Sequence, residues 1–360
     1  MSKIKVAHII GRLDIGGAEK LLLDLGRKID KNRFEIKVVS LGGEGVMLKA
    51  FEAADVPVTV IEKKFVGDFR VLKALSTWLI KERPDIVHTH LFGGDFWGGL
   101  AARKAGIKKI ISTKHDILNE GFWRNHIGRI MRRRFDFVVA ISEATKKNLV
   151  EIEKLNKNKI RVIYNGIDMA KYYVPGAEIL TDDEVVFGTV GRLVGEKGQA
   201  YFIKALKFLK QRSWKAVLVG GGPEEKKLKA LVKKLKLNDK VHFVGEVNDV
   251  RSHVAEFDVF VLPSLTEGLS LALIESAAAG KYVVASRVGG VPEIVRDKSW
   301  GTLYNPHSLS ELVTSLNWVF DHRSEAKRAA LRLQNFVVET FDINKIIDRY
   351  EQVYEDIVDK

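Results

Sequence analysis

The 360-residue chain contains no cysteine. That excludes disulfide scaffolds, thiol nucleophiles and Cys-type structural zinc sites, and leaves the redox compartment open. Long apolar runs are missing too. The longest, such as VVAIS and VFVLP, are strand-sized, far short of the roughly 20 residues that cross a bilayer. The first residues, MSKIKVAHII, run straight into a strand pattern and leave no room for the regions of a signal sequence, so the expected location is cytoplasmic. The sequence also lacks short repeats, heptad arrays and low-complexity tails. Acidic charge is scarce in one half only. Residues 1–164 carry 32 Lys and Arg against 19 Asp and Glu, whereas residues 165–360 carry 27 of each. The whole +13 excess therefore concerns the partner of the first half.

What is present is alternation. A chain of this length exceeds what one hydrophobic core organises, so two domains are expected. KVAHII, EIKVVSL, VPVTVIE, DIVHTH, KIIST, DFVVAIS and IRVIY are strand-like and separated by amphipathic helical patterns, which reads as βαβ units in a mostly parallel sheet. The periodicity lapses over 165–184, a polar stretch with Pro175 and Gly176 that reads as a linker. A second series follows: VVFGTVG, AVLVGGG, VHFVG, VFVLP and YVVAS. The predicted class is α/β, with two Rossmann-like doubly wound domains, 1–164 and 185–341, facing across a cleft at their ligand-binding strand edges. A final helix in 342–360 is expected to pack back toward the first domain.

The most informative stretch is FDVFVLPSLTEGLSLALIESAAAG, residues 257–280. A buried-strand pattern ends at Pro263, a glycine loop follows, and a helix with Ser270 as N-cap starts at Leu271. Free amides and the positive dipole end at a helix start suit a diphosphate, and Gly268 removes a side chain that would block close approach. Glu267 and Glu275 would repel phosphate, so they suit hydroxyl groups of a sugar or ribose instead. In GRLVGEKG, residues 191–198, Arg192 and Lys197 fall in the loop after the domain's first strand, where two cations can stabilise a departing diphosphate. LVGGGPEEKKL looks like a dinucleotide loop, but Glu225 stands where the third glycine after Gly220 and Gly222 belongs. A nicotinamide enzyme is weakened accordingly.

Taken together these motifs resemble the family-4 retaining glycosyltransferases, which have the GT-B fold. The glutamate, seven residues, glutamate signature matches Glu267 and Glu275, and the arginine and lysine pair matches Arg192 and Lys197. GGAEK (16–20), VHTH (87–90), STKHD (112–116), AISEATK, VIYNGID, VGGGPE, VHFVG and GGVPEIV also match, in order along nearly the whole chain. The resemblance implies that Arg192 and Lys197 bind the diphosphate and Glu275 the ribose. Glu267, with the amides of Gly268, Leu269 and Ser270, would hold the sugar, and the Leu271 amide a phosphate oxygen. The base would lie near Val244 and Val247, and Gly16 and Gly17 would face the donor phosphates and the acceptor. Lys281 departs from the family, which usually has proline there; the expected effect is local.

In the first half, His88 and His90 alternate on one strand and His115 ends another beside Asp116. Three histidines and a carboxylate invite a metal, but the resemblance makes His115 a sugar-hydroxyl contact, and no metal or cofactor is expected. The segment FWRNHIGRIMRRRF, residues 122–135, mixes Phe122, Trp123, Ile127, Ile130 and Met131 with Arg124, Arg129, Arg132, Arg133 and Arg134. It suits an interfacial helix that meets anionic lipid heads, or equally a core helix with a solvated arginine face. No DNA or RNA module is found, so nucleic acid is not an expected partner.

The expected function is metal-independent, retaining transfer of a hexose-type sugar from a UDP- or GDP-sugar to a lipid-linked or soluble glycan acceptor. The setting would be cell-envelope or polysaccharide assembly, with a peripheral place on the inner face of the cell membrane. A nucleotide-sugar epimerase of the same fold and a non-catalytic sugar-nucleotide binding module are the alternatives.

Overall fold

The β-branched runs of the first half become strands β1 (Ile4–Ile10), β2 (Phe34–Ser40), β3 (Val58–Val60), β4 (Ile86–His90), β5 (Ile110–Lys114), β6 (Phe137–Ala140) and β7 (Ile160–Val162). All pair in parallel, in the order β3-β2-β1-β4-β5-β6-β7. Parallel neighbours need long crossovers, supplied mainly by helices α1 (Gly17–Lys28), α2 (Leu48–Ala53), α3 (Arg70–Glu82), α4 (Leu91–Lys104), α5 (Phe122–Arg133) and α6 (Glu143–Glu151). The structure is a computed structural model that describes residues 3–65, 67–117, 122–176, 178–209 and 212–359.

Side-chain alternation sends neighbouring strand residues to opposite faces, and both faces are covered. On one, Leu21, Leu22 and Leu25 of α1 pack with Ile346, Tyr350, Val353 and Tyr354 of the C-terminal helix (Ile343–Val358) over Val6, Ile10 and Ile111. On the other, Leu75, Leu79, Trp97, Ala101 and Met131 pack over Ala7, Ile9 and Val87. The first unit thus comprises Met1–Gly166 and Ile343–Lys360. Ion pairs fasten the returning helix: Arg33 meets Glu351 at 3.0 Å and also Glu355, and Arg161 meets Asp356 at 2.6 Å.

The second unit, Ile167–Asp342, contains β8 (Val185–Val190), β9 (Trp214–Val219), β10 (Val241–Gly245), β11 (Val259–Leu262), β12 (Tyr282–Ser286) and β13 (Thr302–Tyr304). They also pair in parallel, in the order β10-β9-β8-β11-β12-β13. Helix α7 (Met169–Tyr172) precedes the sheet. Then come α8 (Gln199–Leu206), α9 (Glu225–Leu235), α10 (Arg251–Ala255), α11 (Leu271–Ala278), α12 (Val291–Ile294), α13 (Leu309–Asp321) and α14 (Arg323–Thr340). Each sheet reverses its strand order once, between β1 and β4 and between β8 and β11, which are the topological switch points where such sheets bind ligands.

The stretch 165–184, expected as a linker, is largely part of the second unit's body. It carries α7, Ile179 and Leu180 are buried in the core, and the Leu180 amide donates to Asp258 at 2.5 Å. Its exposed Pro175 and Gly176 gave it the composition of a loop.

Helix α5 also differs from expectation. Arg132, assigned to a lipid or acceptor surface, is only 3% exposed and lies between Asp95 (2.5 Å) and Glu153 (2.6 Å). Burial by itself lowers an arginine's pKa, but the two carboxylates outweigh it and hold Arg132 above its ordinary value. Thr89 and Ser112 donate to the same Asp95 at 2.6 and 2.7 Å. Met131 is core as well, and Ile127 is half-buried. Helical spacing points 131, 132 and 135 inward. Arg124, Arg133, Arg134 and Ile130 remain exposed, and Arg129 is half-buried beside His126. The side chains of Phe122 and Trp123 lie outside the described residues.

Removing Arg132 leaves two buried carboxylates unpaired, so Arg132→Ala should cost about 3–5 kcal/mol of stability. Arg134→Ala should stay within about 0.5 kcal/mol. Equilibrium denaturation of both variants separates a core arginine from surface charge; equal, small losses would contradict this placement.

Candidate functional site

In the second unit the switch point is lined by the loops after β8 and β11. Gly198 has φ 66°, and a Cβ there would lie 2.0 Å from the Pro263 carbonyl oxygen, so glycine is what lets the two loops touch. The Leu265 amide donates across the same junction to the Glu196 carbonyl at 2.7 Å. This approach brings Lys197 and Glu267 together, Nζ to Oε1 at 2.7 Å, and Ser264 donates to the same oxygen at 2.7 Å. Glu267 is 8% exposed. A lysine ammonium has three N–H donors, and this contact takes one of them. Arg192, on the same loop, has a side chain 68% exposed and reaches Glu196 at 3.5 Å, a contact too exposed to hold it firmly.

Helix α11 begins at this junction. Ser270 caps it by accepting from the Leu273 amide at 3.3 Å, and the amides of Leu271 and Ala272 lie in the first turn, outside the intrahelical ladder. Gly268, Leu269 and Ser270 are buried. One turn into the helix, buried Glu275 is hydrogen-bonded by Tyr172. Burial first, then the charge and hydrogen bond of Glu275, push the phenol's pKa well up, so it stays a donor. Sequence reasoning missed Tyr172, which sits in the segment read as linker with no motif around it. Val244 and Val247 are half-buried at the C-terminal end of β10, two strands from β8, about 10 Å away at ordinary strand spacing.

The glycines after β9 serve packing of backbone on backbone. A Cβ at Gly220 would lie 2.1 Å from the Gly191 oxygen, and one at Gly222 2.5 Å from the Leu193 oxygen, so the β9 loop lies directly on the β8 loop. Lys281 is buried, donates to the Ala255 carbonyl at 2.8 Å and has its pKa lowered by that burial.

In the first unit, Gly16 caps α1 and Gly17 is its first residue. A Cβ on Gly16 would come within 2.3 Å of Glu19 Oε2, whose side chain folds back over the turn. At the switch point β4 passes into α4 through Leu91, a non-glycine residue held at φ 61°, the kind of sparsely populated conformation that clusters at functional sites.

Strand register places His8 opposite His88 and His90 opposite Thr113, and the period of two puts His115 on their face. His8 Nδ1 and His90 Nε2 are 2.9 Å apart, and His90 Nδ1 and His115 Nε2 3.1 Å. His88 bonds Tyr354 Oη at 2.8 Å and Thr113 Oγ1 at 2.7 Å, and Tyr354 Oη lies 3.4 Å from His8 Nε2. The rings of His8, His88 and His90 offer nitrogens within 4.8 Å of one another, yet every one of those nitrogens faces another ring or a hydroxyl. Their polar groups are satisfied by each other. His8 and Tyr354 were not singled out from the sequence, because a lone strand histidine and a helix tyrosine carry no motif.

Two family descriptions match. Glycosyltransferase Family 4 covers residues 15–171 and Glycosyl transferases group 1 covers residues 176–334. The chain is 26% identical to the UDP-Gal:alpha-D-GlcNAc-diphosphoundecaprenol alpha-1,3-galactosyltransferase of Escherichia coli, over 99% of this chain and 98% of that one. It is 24% identical to the N-acetyl-alpha-D-glucosaminyl L-malate synthase of Bacillus anthracis, over 96% and 95%. Among solved structures, HepE of Anabaena in complex with UDP and glucose superposes with a TM-score of 0.88 at 22% identity, over 98% of this chain and all of that one.

Burial lowers all four histidines: His8 to about 3, His115 to about 4, and His88 and His90 well below the ordinary value. The unfolded chain takes up these protons near pH 6.5, whereas the folded protein takes them up only at lower pH, His115 near 4 and His8 near 3. Between those limits the unfolded state binds more protons, so stability falls with falling pH, by up to about 1.4 kcal/mol per pH unit per histidine. Thermal unfolding from pH 7 to pH 5 should show the loss, and His90→Gln should flatten it. The same slope in both proteins would mean that His90 is not held neutral.

Proposed function

The chain belongs to glycosyltransferase family 4 and has the GT-B fold, and on that premise we propose that it transfers a hexose-type sugar, with retention, from a UDP- or GDP-sugar to a lipid-linked glycan acceptor. The observation that carries this reading is the junction at the second unit's switch point, where Lys197, Glu267, Arg192 and the start of α11 meet one strand edge. Arg192, Lys197 and the Leu271 amide suit a diphosphate, Glu275 held by Tyr172 suits ribose hydroxyls, and Val244 and Val247 flank the base. Glu267 and the amides of Gly268, Leu269 and Ser270 suit the sugar. In the first unit, Gly16 and Gly17 suit phosphate and acceptor contacts, and His115 a sugar hydroxyl.

In the proposed chemistry the acceptor oxygen attacks the anomeric carbon from the face the leaving group departs. The bond from that carbon to the diphosphate oxygen breaks, a new glycosidic bond forms, and the acceptor proton passes to the departing phosphate. Arg192 and Lys197 stabilise the charge that develops there, so no metal is called for. NMR of the product before mutarotation should show the donor's anomeric configuration, with activity undiminished by chelator. Arg192→Ala and Lys197→Ala should each slow transfer about a hundredfold, equivalent to roughly 3 kcal/mol of barrier. Inversion, or activity that a divalent ion restores after chelation, would overturn the reading. Donor turnover of equal rate without acceptor would point to the epimerase instead.

The lipid-linked acceptor is supported by the substrate that the Escherichia coli relative's name gives and by one surface of the first unit. Phe65 and Phe69 are 59% and 67% exposed, and Arg70 lies over the Phe65 ring. Phe69 packs on Trp97, which continues through Phe96 and Phe92 to Arg124 of α5. Aromatics at this exposure beside arginines suit an anionic leaflet, where each basic residue adds about 1 kcal/mol. Wild type should sediment with anionic but not neutral vesicles at low salt. Phe65 and Phe69 changed to Ser, with Arg133 and Arg134 changed to Glu, should leave it in solution. Wild type that ignores anionic vesicles would favour a soluble acceptor.

A further inference from the structure

Glu267 is held by one oxygen only. Its Oε1 accepts from Lys197 Nζ at 2.7 Å and from the Ser264 hydroxyl at 2.7 Å, and two donors fill the two lone pairs of a carboxylate oxygen. Oε2 has no partner among the described residues, yet it is not one of the side-chain atoms sealed from solvent without one. The carboxylate thus turns its bonded oxygen into the junction and leaves the other, with both lone pairs, for groups that can donate. A carboxylate has no proton to give, so the sense of both contacts is fixed: the lysine and the serine donate and Oε1 accepts.

The two donors differ in how firmly they are placed. Lys197 carries its ammonium on a flexible four-carbon stem, its side chain is 25% exposed, and the same ammonium is assigned above to the diphosphate. Ser264 is fully buried. The peptide that joins it to Leu265 is pinned at both polar ends: Ser286 Oγ, at the end of β12, donates to the Ser264 carbonyl at 2.5 Å, and the Leu265 amide donates to the Glu196 carbonyl at 2.7 Å. On that fixed backbone the serine side chain has a single staggered torsion, and its hydroxyl reaches the glutamate three residues on in the same loop. A diphosphate drawing on Lys197 would leave the Ser264 contact in place.

We propose that Ser264 is a positioning residue: it fixes Glu267 through Oε1, so that Oε2 alone faces the donor sugar, and it keeps that orientation when Lys197 is shared with the diphosphate. The one-sided hold is a property of the second unit alone. Its use at the sugar rests on the reading of Glu267 given above.

A sugar nucleotide and its bare nucleotide diphosphate differ only in the sugar, so the ratio of their affinities reports the sugar's contacts. Calorimetric titration of the full chain with UDP- and GDP-hexoses, and with UDP and GDP, gives that ratio for wild type, Ser264→Ala, Glu267→Ala and the double variant. Ser264→Ala should weaken the sugar nucleotide about fivefold, the loss of one hydrogen bond, and leave the bare nucleotide unchanged. Glu267→Ala should weaken it at least as much, and the double variant should bind no worse than Glu267→Ala, because Ser264 acts through that carboxylate. Ser286→Ala, which frees the Ser264 carbonyl without touching the glutamate, should shift the ratio in the same direction. Losses that add in the double variant overturn the proposal, as does a ratio that both serine variants leave at the wild-type value. Wild type that binds none of these ligands, or a ratio that Glu267→Ala leaves unchanged, overturns the reading of the site itself and the proposal with it.

Discussion

A parallel sheet must be covered on both faces, because its crossovers leave neither face to water, and the first unit meets that requirement with a helix from the far end of the chain. Ile346, Tyr350, Val353 and Tyr354 close the face that α1 covers only in part. The polar chemistry of that face depends on the same closure. Without Tyr354 the inner ends of His8 and His88 would share no hydroxyl. Hydrophobic covering and the shared hydroxyl are thus supplied by one helix.

The second unit is organised by contact between loops. Gly198 against Pro263, Gly220 against Gly191 and Gly222 against Leu193 are places where backbone lies on backbone, so the strand ends at the switch point form one connected rim. Glycine in these loops looks in sequence like a phosphate cradle, and three of the positions are packing joints. The Lys197 and Glu267 pair is a product of this rim, since neither loop alone would bring them within 2.7 Å.

Much of this was legible in the sequence for physical reasons. Strand and helix periodicity is local, so both doubly wound sheets could be read, and a strand, loop and capped helix over 257–280 fixed Glu267, Ser270 and Glu275 relative to one element. What was not legible depends on partners distant in sequence. Arg132 reads as surface charge in a run of three arginines until Asp95 and Glu153 are seen on either side of it. Tyr172 acquires a role only through Glu275, about a hundred residues later. His8 and Tyr354 are 346 residues apart, and no local pattern can join them.

The division of the first unit between Met1–Gly166 and Ile343–Lys360 has a consequence for biosynthesis. Domains generally fold as units and in the order they are synthesised, but here the unit begun first is finished last. While the second unit emerges from the ribosome, the apolar face over Val6, Ile10 and Ile111 waits for the C-terminal helix, and its exposure makes the nascent chain a natural client for a chaperone. Translation must run through Tyr354 before His8 and His88 can share its hydroxyl, so a prematurely terminated chain lacks that contact, whatever the state of its second unit.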